Sequence, residues 1–155
     1  MAHAARTLLL SALVPLALLA CDSGSGGTEH PMAQATELYT LTNLHPDASQ
    51  KKLYSVNYQL DALIPRCSKV DVLSFDAEVV VFKVEETGMT YNYYFHDSLT
   101  ETPEKHAERY FGAECDKAAE AMLSDEDAQG IATGKAQVRM SKQGIIYALG
   151  YTPAH

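Results

Sequence analysis

The chain has no tryptophan and only three cysteines in 155 residues, and its 12 Lys and Arg are outnumbered by 20 Asp and Glu. The formal charge of −8 is relieved by no basic cluster, so a phosphate backbone meets repulsion and nucleic acid is not expected as a partner. No apolar run reaches the roughly 20 residues that a membrane-spanning helix needs. The longest, residues 8–20, has thirteen. The motifs G-x-S-x-G, H-E-x-x-H, G-x-G-x-x-G and C-x-x-C are all missing, which removes the local signatures of nucleophilic, zinc-protease, dinucleotide and dithiol chemistry. Residues 130–136 have the outline of a phosphate loop. They are one residue short between the glycines, and Ala136 stands where a Mg²⁺-binding hydroxyl is required. No catalytic residue, cofactor or metal is therefore expected, and the domain reads as non-enzymatic.

What is present begins at the N-terminus. Arg6 followed by the apolar stretch 8–20 reads as a secretory signal covering residues 1–20. Its end, Leu18-Leu19-Ala20-Cys21, resembles the lipobox of bacterial lipoproteins, with a Leu three residues before the cysteine and a small residue just before it. The resemblance implies cleavage before Cys21, fatty acylation of that thiol, and a cell-envelope address facing the periplasm or the cell surface. Several acyl chains, each gaining about 0.8 kcal/mol per buried methylene, would hold the protein at a membrane permanently. Asp22 is similar to the inner-membrane retention signal of enteric bacteria, while other lineages read that position differently, so both membranes stay open. Removing residues 1–20 takes away Arg6 and no acid, which moves the charge from −8 to −9. Membrane attachment thus rests on the lipid. Residues 21–36, rich in Gly and Ser, are expected to be a flexible tether that holds the folded part roughly 20 Å from the bilayer.

Residues 37–155 amount to one domain with a single modest core. With Cys21 acylated, Cys67 and Cys115 remain as an even pair outside the cytoplasm, and a disulfide is expected. Alternation or β-branched content predicts strands at 53–60, 67–75, 78–85 and 89–96, in an antiparallel four-stranded meander. In the first, Tyr54, Val56, Tyr58 and Leu60 share one face; in the third, Val80, Phe82 and Val84 do. The period then changes. Thr102-Pro103-Glu104 starts a helix that Gly112 ends, and Ala118, Ala119, Met122 and Leu123 form an apolar stripe in the next. Ser124 caps a piece carrying Ile131, and a final helix from Ser141 to Gly150 is expected to bury Ile145, Ile146 and Leu149. Strands first and three or four short helices after define the α+β class.

The final segment, residues 134–153, resembles the first block of the small BamE/SmpA-like lipoproteins, where Gly-Met and a hydroxyl cap open a helix that closes with Leu-Gly and a Pro. Met140, Ser141, Ile145, Leu149 and Gly150 match, Arg139 stands at the family's Gly, and Pro153 falls one residue late. The resemblance implies a place in outer-membrane protein assembly. That family continues into strands with a Trp-Tyr pair that this chain lacks. Either the domain is truncated after His155, or the segment is a generic capped amphipathic helix.

Nine tyrosines invite a recognition role. Alternation in 89–96 puts Tyr91 and Tyr93 inside and presents Tyr94 with His96 outward, the candidate residues for binding a protein partner. Two other readings remain: a periplasmic module for a small ligand or a peptidoglycan fragment, and a metal-assisted hydrolase built on His96, Asp97 and His106. The reading adopted is a lipid-anchored, non-enzymatic scaffold.

Overall fold

The computed structural model describes residues 31–34, 37–56 and 59–152. The signal, Cys21, Asp22, most of the tether, Tyr58 and Pro153 lie outside them.

Three strands form the antiparallel centre: β3 (Lys69–Phe75), β4 (Val79–Val84) and β5 (Thr90–Tyr94). Val80, Phe82 and Val84 are all buried, because a period of two puts the branched and aromatic side chains of β4 on one face. The β3–β4 turn is held by Asp76, whose carboxylate accepts the N–H groups of Glu78 and Val79 at 2.8 Å. At the β4–β5 turn Gly88 takes φ 66°, as its lack of a Cβ permits. A bulge between Val72 and Ser74 turns Leu73 out to 55% exposure.

The α+β class holds, but the four-stranded antiparallel meander does not. The sheet has six strands, in the order β2 (Lys52–Tyr54), β5, β4, β3, β1 (Leu38–Thr40) and β6 (Phe111–Gly112), and is mixed. β1 enters between β3 and β6, antiparallel to both. β2 is only Lys52–Tyr54 and runs parallel to β5 at the far edge. The alternation of 53–60 thus has the opposite sense: Leu53 and Ser55 are buried, whereas Tyr54 and Leu60 are exposed. Ser55, just after the strand, stays fastened to β5, its N–H on the Tyr94 carbonyl and its Oγ accepting the His96 N–H at 2.8 Å. A 3₁₀ turn, Pro31–Gln34, packs Met32 on the core beside β3.

Helix α1 (Pro103–Ala107) starts where the Thr102 hydroxyl caps the Lys105 N–H. It ends well before Gly112, since Tyr110 and Phe111 are drawn into the core and the Tyr110 carbonyl accepts the Leu41 N–H at 2.8 Å, feeding β6 onto β1. Helix α2 (Lys117–Ala121) buries nothing, and Met122 of its expected stripe is 87% exposed. Helices α3 (Asp125–Thr133) and α4 (Lys142–Leu149), capped by Ser124 and Ser141, pack as a hairpin. α4 buries Gly144 and Ala148, and Ile145, Ile146 and Leu149 are only half-buried. The reason is close approach: a Cβ on Gly144 would collide with the Asp127 carboxylate, which accepts the Ser141 N–H at 2.7 Å.

A buried polar seam joins this hairpin to the sheet. Asn43 donates from Nδ2 to the Ile131 carbonyl and accepts the Arg66 N–H on Oδ1, both at 2.7 Å. Arg66 lies 4.0 Å from the Tyr147 ring centroid and pairs with Glu120 at 2.6 Å. Among the described residues, no buried side-chain N or O lacks a partner. The expected disulfide is present, with Cys67 and Cys115 bonded and their Cα atoms 5.4 Å apart, which ties the turn before β3 to the segment entering α2.

Candidate functional site

The parallel β2–β5 pairing sets Tyr54 beside Tyr94. Their rings stack with centroids 5.6 Å apart and 28° between planes, and Tyr54 keeps 36% of its surface exposed. The Lys52 ammonium stands 5.9 Å from the Tyr94 centroid. The Ser55 contact fixes the backbone of His96, whose Nδ1 accepts the Ser98 N–H at 3.1 Å. Together with Phe95 and Asp97 these side chains line a shallow recess of about 390 Å³. It offers three aromatic side chains, a cation, an imidazole and a carboxylate within one patch.

Tyr94 is half-buried and His96 exposed, while Tyr91 and Tyr93 pack inside. Sequence reasoning missed Lys52 and Tyr54, because an antiparallel meander puts the first strand elsewhere. The sequence carries no local signal for them, because the alternation of 53–60 reads as one continuous strand and only the parallel pairing with β5 ends it at Tyr54.

Behind the recess lies a second constellation. The Pro103 start turns His106 toward the core, where its Nε2 is 2.7 Å from the Tyr93 hydroxyl and its Nδ1 is 3.0 Å from Glu101. Glu101 also receives Arg109 Nη2 at 2.5 Å, and the Tyr110 ring lies 5.0 Å from the imidazole. Burial lowers the His106 pKa against the opposing pull of Glu101, so the imidazole is neutral at pH 7. These partners assign its tautomer: Nδ1–H donates to Glu101, and Nε2 accepts from Tyr93. Burial also raises Tyr93 well above the usual phenol range, helped by the neighbouring Tyr110 and Glu101, and it raises Tyr110.

The order carboxylate, imidazole, hydroxyl is that of a proton relay. Tyr93 is 2% and His106 4% exposed, so the hydroxyl is enclosed in the core. Both His106 nitrogens are engaged in the core, and the residue does not join His96 and Asp97 in a surface site. Among the described residues, no three His, Cys, Asp or Glu side chains are placed to hold a metal ion. The cluster pins α1 to the sheet. Comparison of the chain with family models, with curated proteins and with solved structures gave no match.

Proposed function

We propose that the chain is a lipid-anchored protein of the bacterial cell envelope, held by Cys21, whose domain is a non-enzymatic scaffold that grips a protein partner through the Tyr54–Tyr94 recess. The observation that carries the reading is the half-exposed aromatic stack at the sheet edge, with Lys52, His96 and Asp97 around it. Tyrosines anchor protein interfaces because a large rigid ring contributes contact area with few torsions to freeze, and its hydroxyl finds a partner at the rim. The secretory signal and lipobox supply the address.

The finer proposal, that the partner belongs to outer-membrane protein assembly, draws support from one local feature. Arg139, at the position where BamE/SmpA-like lipoproteins have Gly, takes φ 76°, a left-handed conformation that favours glycine. Met140 and the Ser141 cap then follow, opening α4.

The test is photo-cross-linking in cells from positions 54, 94 and 96, with Val138, 85% exposed on the α3–α4 loop, as control. The expected result is one discrete adduct from the recess and none from Val138, containing barrel-assembly subunits on the finer proposal. Equal trapping at all four positions, or no adduct at all, contradicts the scaffold reading.

A further inference from the structure

A second cavity, of about 460 Å³, lies on the outer side of α4, and its residues are separate from the aromatic recess. Met140, Ile145, Ile146 and Tyr151 give it an apolar floor, and Arg109 and Lys142 stand at its rim. The packing of α4 explains why it is there. Because Gly144 and Ala148 are the residues turned into the domain, the isoleucines at 145 and 146 fall on the other side of the helix, half-exposed. Branched apolar side chains left in water forgo about 25 cal/mol per Å² of burial, so this surface gains by being covered.

Size and charge together narrow what covers it. The volume falls in the range of sites for small molecules, which are apolar hollows with a few oriented polar groups. On a chain of net charge −8, the charged residues lining this one are both cations. Arg109 is oriented in advance: Glu101 holds Nη2, and the guanidinium lies 5.6 Å from the Tyr151 centroid. A guanidinium has five N–H donors, and the contact with Glu101 uses only one. Lys142, in the first turn of α4, is exposed.

We propose that this cavity binds a single-chain fatty-acid anion, its tail on Met140, Ile145 and Ile146 and its carboxylate between Arg109 and Lys142. The site is independent of the scaffold reading, since none of these residues lines the aromatic recess.

The experiment titrates the full chain with sodium dodecanoate below its micellar concentration, by calorimetry and by the methyl NMR shifts of Ile145 and Ile146. The expected result is saturable one-site binding with shifts confined to residues 140–152 and Arg109. Dodecyltrimethylammonium, with the same tail and a cationic head, should bind at least about tenfold more weakly, and Lys142→Glu should weaken dodecanoate by about tenfold. Ile146→Asp should abolish binding with an unchanged circular dichroism spectrum, and because Lys142 is exposed, Lys142→Glu tests the site even if Ile146→Asp unfolds. Non-saturable uptake, equal affinity for the two heads, indifference to Lys142→Glu, or shifts centred on Tyr54 and Tyr94 would each overturn the proposal.

Discussion

Removing the Cys67–Cys115 bridge as the pair Cys67→Ala/Cys115→Ala is expected to cost about 4 kcal/mol. The two cysteines are 48 positions apart, and closing a loop of that length in the unfolded chain gives about this value on the chain-entropy model. At about 4 °C per kcal/mol for a domain of this size, the melting temperature should fall by about 15 °C. The backbone adds a second term of opposite sign. Cys67 takes φ 63°, a left-handed conformation costly to any residue with a Cβ, and alanine inherits that cost. Cys67→Gly/Cys115→Ala should therefore be about 1 kcal/mol more stable than the alanine pair, although neither has the bridge. The segment after Cys115 keeps polar attachments in both variants, with Arg66 on Glu120 and on the Asp116 carbonyl at 2.9 Å, so the loss should appear in one cooperative transition. Denaturant unfolding of the three proteins, with and without reductant, measures both terms. A loss below about 1 kcal/mol, or a glycine pair no more stable than the alanine pair, would refute the reasoning.

Three further outcomes follow from particular contacts. Asn43→Ala leaves the Arg66 N–H unpaired in the seam and leaves the Ile131 carbonyl with only the Gly134 N–H at 3.2 Å, and it should cost about 1–3 kcal/mol, read as a lower urea midpoint at unchanged slope. Arg139→Gly relieves the left-handed backbone at an exposed position and should stabilise by about 1 kcal/mol in the same assay. The third concerns acid. The folded His106 pKa lies below the ordinary 6.5, so the unfolded chain binds more protons between those two values. Stability contributed by neutral His106 is complete above pH 6.5 and declines as pH falls below it, toward the folded pKa. Thermal melts from pH 7 to pH 5 should show that decline, and His106→Gln should flatten it.

Local chemistry in the sequence was enough for the helix starts, since Thr102, Ser124 and Ser141 each cap as their hydroxyls foretold. The central strands were legible for the same reason: the Val80, Phe82, Val84 stripe has one period and one face to bury. Their antiparallel pairing was legible too, and that of the other strands was not. Leu53 and Tyr54 alternate equally well in either sense, and only the parallel partner β5 decides which is inside. Leu38–Thr40 is too short to signal a strand by periodicity, yet it supplies the strand between β3 and β6. Tyr110 and Phe111 fall inside the helix expected to run up to Gly112, and the open side of β1 overrides that expectation. On α4, counting apolar residues points to Ile145 and Ile146 as core. The buried side is set by the smallest residue, Gly144, because Asp127 needs that space. Of the candidate site, the alternation gave Tyr94 and His96, while Tyr54 and Lys52 arrive from a strand whose placement is nonlocal.

Anchoring through Cys21 is tested most directly by the intact mass of the protein extracted from the membranes of cells that make it. The mass should correspond to a chain that begins at Cys21 and carries the added mass of its acyl groups. A chain of unmodified mass, or one that begins at any other residue, contradicts it.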